Sequence, residues 1–147
     1  MARRKRQDRF HEEHAWVLLF ALSLFISATA VVGIISGIDR TDFEQSTNLT
    51  WDEMRALNPA VSDYVQRVIW LNGAAYLGLG LIAAVLSWTA YRRGEPYAWF
   101  AMSVLPLALA ASTAVFAVEN SDLAYYYGGY TLVAVVGLLL PYRKFFP

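Results

Sequence analysis

The polar side chains whose types and spacing suit a binding site lie near one end of the apolar segments of this chain. Asn72 and Tyr76 are four residues apart, as are Tyr126 and Tyr130, so each pair shares one face of a helix. Amide and phenol groups that converge in an apolar bundle can hydrogen-bond the head of a small ligand. Arg67 and Glu119 could supply charge at the entrance of such a pocket. The candidate ligand-binding residues are therefore Arg67, Asn72, Tyr76, Glu119, Tyr126 and Tyr130.

The same tyrosines have a second interpretation, as a membrane-interface belt. The stretch VENSDLAYYYGGYTLV, Val118–Val133, places three consecutive tyrosines beside a turn. Tyr and Trp collect at membrane interfaces because their rings are amphipathic. Asn72, Tyr76 and Tyr130 lie deeper in their segments, where polar groups need partners. Pocket and belt therefore both stay open.

Residues typical of catalysis or cofactor binding are missing from the apolar segments. The chain has no cysteine, and its two histidines, His11 and His14, both precede the first segment. They stand three apart in HEEH, whereas the zinc motif HExxH has histidines four apart. No pair of histidines can hold a haem in the core. The sequence predicts no catalytic residue, no metal site and no cofactor, and hence a protein that is not an enzyme.

Four segments without Asp, Glu, Lys, Arg or His must position these side chains: Ala15–Ile38, Val68–Tyr91, Pro96–Val118 and Leu123–Tyr142. A bilayer core of about 30 Å needs roughly 20 helical residues, and each segment has at least 20. The sequence predicts an all-α fold, an integral membrane four-helix up-down bundle forming a single transmembrane domain over 1–147. Its parts are a tail 1–14, spans 15–38, 68–91, 96–118 and 123–142, an external loop 39–67, and a tail 143–147.

The external loop contains two helix starts. Thr50 and Glu53 have the spacing of a capping box, which predicts a short interfacial helix over about Trp51–Leu57. Asn58 followed by Pro59 is a cap residue before the residue best suited to the first helical position. A long helix is therefore expected from Pro59 through Tyr91.

Lysine and arginine predict the orientation. With both termini on one side, nine basic residues lie there and three lie opposite. The termini are therefore expected in the cytoplasm of a multi-pass protein of the plasma (inner) membrane. The nine are Arg3, Arg4, Lys5, Arg6, Arg9, Arg92, Arg93, Arg143 and Lys144, and the three are Arg40, Arg55 and Arg67.

Small residues form stripes on three of the predicted helices, which lets helices approach closely in lipid. Pro106, in the third segment, removes the donor for the carbonyl of Met102 and predicts a kink. The stripes are Ser23, Ser27, Ala30, Gly33 and Gly37, then Gly73, Gly80, Ala84 and Ser87, and finally Ala110, Ala114 and Ala117. Spacing alone leaves open whether they pack within the chain or against another protein.

The stretch Asn58–Met102 resembles a pattern in small uncharacterised prokaryotic four-helix integral membrane proteins. The shared features are the external Asn-Pro start, a glycine-bearing second helix and the turn RRGE followed by an aromatic residue and AW. The resemblance implies a four-helix fold and a prokaryotic source. It implies no activity and no functional residue.

Two functions are favoured by these patterns over a third, an enzyme, which would have only the same polar residues and no recognisable nucleophile–base pair. The first is a non-enzymatic accessory or scaffolding subunit that acts through helix–helix contacts. The alternative is a binding protein or carrier for a small amphipathic molecule or lipid, in an outward-facing pocket between the second, third and fourth helices. The expected partners are the lipid bilayer and other membrane subunits or a second copy of the chain, and not nucleic acid.

The predicted orientation can be tested by labelling, because the chain contains no competing cysteine. We expect an impermeant thiol reagent to label Gln45→Cys in intact cells and Gln7→Cys only after permeabilisation. Labelling of Gln7→Cys in intact cells, with none of Gln45→Cys, would reverse the orientation.

Overall fold

A computed structural model describes the backbone of residues 2–118 and 121–146, and the side chains of 13–41, 43–118 and 121–146. These residues form helices joined by short connections, with no strand among them. The prediction of an all-α chain is confirmed. In order, the helices are α1 (Ala2–Ser36), α2 (Arg40–Thr47), α3 (Trp51–Leu57), α4 (Pro59–Leu86), a π-helical turn (Ser87–Tyr91), α5 (Pro96–Met102), α6 (Val104–Val118), α7 (Leu123–Leu139) and α8 (Tyr142–Phe145).

Three stretches are long and apolar enough to cross a membrane: Glu13–Ser36, Pro59–Tyr91 and Pro96–Val118. The predicted fourth span, 123–142, corresponds to α7, which is apolar but has only 17 residues. At 1.5 Å per residue α7 is about 26 Å long, somewhat less than a hydrocarbon core of about 30 Å. The described part of the chain therefore has three candidate membrane spans and one shorter apolar helix.

The chain divides into two compact units, one of residues 1–25 and 79–147 and the other of residues 26–78. Leu19, Met102, Leu105 and Leu109 are almost completely buried in the first unit. Gly137 makes room for one of them, because a Cβ there would lie 2.9 Å from Leu19 Cδ2. A glycine thus fixes how closely α1 approaches α7.

Another close approach joins α1 and α4 within the unit of residues 26–78. A Cβ at Gly73 would lie 2.6 Å from Ile34 Cγ1 and 3.5 Å from the carbonyl oxygen of Ala30. Any larger residue at position 73 must displace the side chain of Ile34. Glycine is therefore required here for packing rather than for its backbone angles.

The two predicted helix starts between the first and second spans are confirmed. Thr50 accepts a hydrogen bond from the Glu53 amide, and Glu53 accepts one from the Thr50 amide at 2.8 Å, so the capping box is complete. Asn58 Oδ1 accepts from the Val61 amide at 3.3 Å at the start of α4. These local contacts explain why α3 and α4 begin at Trp51 and Pro59.

The helix α2 was not predicted from the sequence. Asp39 Oδ1 accepts from the Thr41 amide at its start, and Asn48 ends it with a positive φ of 57°. Asp before a helix and Asn after it are ordinary cap signals. The Phe43 ring meets Trp51 edge to face at 5.2 Å, so α2 provides a packing surface for the short helix α3.

Two irregularities interrupt the long apolar helices. The break between α5 and α6 at Ser103 lies three residues before Pro106, as expected from the donor that proline lacks. The Ser103 amide is shared between the carbonyls of Trp99 and Phe100. The π-helical turn Ser87–Tyr91 was not predicted. Its wider winding changes which side chains face inward, and Ser87, Ala90 and Tyr91 are buried there.

The capping box makes α3 sensitive to acid. Hydrogen bonds from the Thr50 backbone and hydroxyl lower the pKa of Glu53 from its ordinary value of 4.5. A lowered folded-state pKa means that the stabilisation of α3 is complete above about pH 4.5 and is lost as the pH falls through that lowered pKa. A carboxyl NMR titration of the full chain should therefore show Glu53 titrating below its ordinary value.

A matched variant separates the cap from a general acid effect. Glu53→Gln retains an acceptor for the Thr50 amide and removes the titration of residue 53, so the pH-dependent change in the Thr50 amide signal should be lost. A Glu53 carboxyl that titrates at or above 4.5 in the unmodified chain would contradict the capping assignment.

Candidate functional site

The described residues that were predicted to form one ligand-binding site lie on two different helices, α4 and α7. Arg67, Asn72 and Tyr76 lie on α4, within the unit of residues 26–78. Arg67 and Asn72 are exposed, and Tyr76 is half-buried. Tyr126 and Tyr130 lie on α7 in the other unit, and Glu119 lies outside the described residues. Convergence of the two groups on one pocket stays a prediction.

The tyrosine run on α7 separates into exposed and packed side chains. Tyr125 and Tyr126 are 83% and 61% exposed. Tyr127 stacks on Phe116 of α6 at 5.1 Å between ring centroids. Tyr130 meets Phe25 of α1 at 5.5 Å. The first two tyrosines therefore fit an interfacial belt, whereas the other two help to pack α7 against its neighbours.

A polar contact missed from the sequence joins α6 and α7 below these rings. The hydroxyls of Thr113 and Thr131 lie 3.3 Å apart. Each hydroxyl also lies within hydrogen-bond distance of a carbonyl four residues earlier in its own helix, that of Leu109 for Thr113 and that of Tyr127 for Thr131. A hydroxyl has a single hydrogen, so the bridge forms when one threonine donates to the other and the accepting threonine donates to its own backbone carbonyl.

The most elaborate polar arrangement lies near the other end of α7, around Pro141. Proline has no N–H, so the carbonyl of Gly137, four residues earlier, lacks its normal helical donor. The buried Tyr91 hydroxyl donates to this carbonyl at 2.9 Å. Trp99 Nε1 donates to the next carbonyl, Leu138, at 2.9 Å. We call these contacts the carbonyl junction; they connect the end of the π-helical turn and α5 to the end of α7.

The turn after Tyr91 holds the Lys144 ammonium against its backbone, next to the carbonyl junction. Gly94 has a φ of 77°, and the amides of Gly94 and Glu95 donate to Tyr91 and Ala90 in the Schellman pattern that ends a helix. Lys144 Nζ, from α8, donates to the Arg92 carbonyl at 2.8 Å. A Cβ at position 94 would lie 3.0 Å from Lys144 Cε, so glycine admits the lysine stem.

The Arg92 side chain is held by aromatic rings. Its Cζ lies over the rings of Trp16 and Trp88, 5.0 and 5.2 Å from their centroids. The two indoles themselves meet edge to face at 5.3 Å. The neighbouring Arg93 instead pairs with Glu95 at 3.0 Å. Sequence reasoning missed the contact of these two tryptophans with Arg92.

The three predicted small-residue stripes have different surroundings. On α1, Ser23, Ser27 and Ala30 are buried, and so are Gly80, Ala84 and Ser87 towards the end of the second stripe. On α6, Ala110, Ala114 and Ala117 are all exposed. Two stripes are thus largely covered within the chain, and the third faces outward.

Metal-ligating side chains do not come together in the described part of the chain: no three of its His, Asp and Glu residues are close enough to share an ion. His14 lies in this part, whereas the side chains of His11 and Glu12 lie outside it. The prediction about a metal at HEEH is therefore not tested.

The carbonyl junction predicts a coupling between Tyr91 and Pro141. Tyr91→Phe leaves the Gly137 carbonyl without its hydroxyl donor and should cost about 1 kcal/mol of stability. In a Pro141→Ala background the backbone N–H at position 141 can replace that donor, so the same change should cost less. Reversible unfolding of the four proteins in detergent measures the difference.

Tyr142→Phe provides the control, since Tyr142 is 48% exposed near the same end of the chain. It should have little effect in either background. An equal cost of Tyr91→Phe with and without Pro141 would mean that the hydroxyl does not substitute for the missing N–H.

Comparison with known proteins gives no relative from which a role can be transferred. No protein-family model matches the chain, and no curated protein or solved structure shows significant similarity to it. Its role must therefore be inferred from its own residues.

Proposed function

We propose that this chain is a non-enzymatic integral membrane protein that acts as an accessory or scaffolding subunit through helix–helix contacts. The observation that carries the proposal is the outward-facing stripe of Ala110, Ala114 and Ala117 on α6. The comparable residues of α1 are covered within the chain, as are Ala84 and Ser87 at the end of α4 and in the turn that follows. The α6 stripe thus consists of small residues, as a helix-packing face does, but it is not covered by another helix of the described chain.

The surrounding lipid explains why a membrane helix would use small residues to bind a partner. Lipid tails are as apolar as leucine, so burial of apolar side chains gives little drive for helix association in a membrane. Close backbone approach across small residues supplies dispersion contacts instead. Val115 and Val118 flank the alanines and are 56% and 83% exposed, so a partner helix would meet a shallow groove bordered by branched side chains.

The proposal includes a specific membrane arrangement. Besides the three candidate spans, α7 with Leu140–Tyr142 would form the fourth, giving an up-down bundle in the plasma (inner) membrane with cytoplasmic termini. Its support is the charge-free run 123–142 and the excess of nine basic residues over three. The partner is another membrane subunit or a second copy of this chain.

The alternative proposal is binding of a small amphipathic molecule or lipid through the six residues predicted from the sequence. Its support is that Tyr76 and Tyr130 are half-buried, unlike Tyr125 and Tyr126. We place it second because Arg67, Asn72 and Tyr126 are exposed, and because the ring of Tyr130 already packs on Phe25.

Native mass spectrometry after mild detergent extraction tests the scaffolding proposal, since it detects partner chains and small molecules together. Ala114→Leu introduces a large side chain where backbones should nearly touch, and we expect it to reduce the retained partner or dimer several-fold. Because Ala114 is exposed within the chain, the melting temperature of the isolated protein should change little.

Ala101→Leu is the matched control, as it makes the same change at an exposed α5 position outside the stripe. It should leave the complex intact. Equal complex formation by both variants and the unmodified chain would exclude the α6 face as the contact. A retained small molecule lost on Tyr130→Phe, with no partner chain present, would favour the alternative.

A further inference from the structure

We propose that Arg92 and Lys144, together with Trp88, form a binding site for the phosphate group of an anionic phospholipid. The proposal goes beyond a scaffolding role, and it depends on membrane insertion but not on a partner chain. Residues 52 positions apart in sequence create the site, because Lys144 Nζ donates to the Arg92 carbonyl at 2.8 Å. The Lys144 ammonium is thereby held against the backbone of Arg92, at the end of one apolar helix.

The Arg92 guanidinium is held in place before any ligand binds. It lies over Trp16 and Trp88, at 5.0 and 5.2 Å from the ring centroids. A guanidinium carries five N–H donors in a fixed fork, and those that are not turned towards the rings can bond an oxyanion. A phosphate is the anion that this planar fork matches best. Fixing the side chain beforehand reduces the entropy lost on binding.

Charges near the turn favour an anion. Arg92 and Arg143 are exposed, and Lys144 is half-buried beside the same turn. The acid in the turn, Glu95, is paired with Arg93 at 3.0 Å. Arg92 itself contacts rings rather than a carboxylate among the described side chains.

The surface next to Arg92 indicates that the anion belongs to a lipid. The candidate span Pro59–Tyr91 ends one residue before Arg92, which is where headgroups meet the hydrocarbon layer. Leu81, Val85 and Trp88 precede it at helical spacing and are 50%, 63% and 51% exposed. A phospholipid presents a phosphate to Arg92 and acyl chains to this apolar face, whereas a free phosphate uses only the first.

Lipid retention by the full chain tests the site. We expect native mass spectrometry of protein extracted from vesicles of three parts phosphatidylcholine to one part phosphatidylglycerol to show phosphatidylglycerol enriched at least threefold over the bulk ratio. Arg92→Gln should remove most of this enrichment. Arg93→Gln makes the same charge change one residue away and should retain more than half of it.

A charge-neutral variant covers the case in which Arg92→Gln disturbs folding. Trp88→Leu keeps every charge but removes one ring beneath the guanidinium, and should lower the enrichment at least twofold. If the Arg92 and Arg93 variants lose lipid equally, the attraction is diffuse and the site is wrong. Displacement of phosphatidylglycerol by millimolar inorganic phosphate would assign the site to a soluble anion and overturn the lipid proposal.

The result of the lipid-retention experiment can be distinguished from the result of the partner-binding experiment that tests the scaffolding proposal. Arg92→Gln should leave a partner chain bound, because Arg92 is not part of the α6 stripe. Loss of partner and lipid together in that variant would show that the lipid is retained at a protein–protein interface, which would contradict a site built by Arg92 and Lys144 alone.

Discussion

The need to give every backbone carbonyl in an apolar layer a hydrogen-bond donor determines much of this structure. Three prolines show how the need is met. Pro59 costs nothing, because the first position of α4 has no helical acceptor for an N–H. Pro106 is accommodated by interrupting the helix at Ser103, whose amide is shared between two carbonyls. Pro141 is the demanding case, since a side chain from another helix, Tyr91, donates to the carbonyl of Gly137.

That last contact also explains the close packing around it. The Tyr91 hydroxyl reaches Gly137 only if the helices lie near one another, and residue 137 cannot carry a Cβ without displacing Leu19. The same glycine therefore serves two contacts, one through its carbonyl and one through its missing side chain. Lipid offers little general drive for helix association, so specific contacts of this kind hold Leu19 of α1 and the π-helical turn close to the end of α7.

The parts of the fold that sequence predicts well are those determined by neighbouring residues. The capping box of Thr50 and Glu53 and the cap at Asn58 set the starts of α3 and α4 as predicted. The charge-free runs likewise located the candidate spans, although Pro141 and the end of α7 at Leu139 make the fourth shorter than expected. The contact of Arg92 with Trp16 joins residues far apart in the chain, and periodicity carries no signal for it. The π-helical turn was likewise not predicted. For the same reason the tyrosine run could be recognised as a cluster, but its division into exposed and packed rings could not.

The carbonyl junction connects the architecture to the chemistry at that end of the molecule. Tyr91 anchors the end of the second candidate span to α7, and Arg92 is the next residue. The anchored end of α7 turns at Pro141 into α8, which carries Lys144 back to the Arg92 carbonyl. A proline that removes one donor therefore creates both the need for Tyr91 and the turn that delivers the second cation. The position of Lys144 next to the backbone of Arg92 is therefore a consequence of satisfying a backbone carbonyl, which explains why residues so far apart in the chain meet.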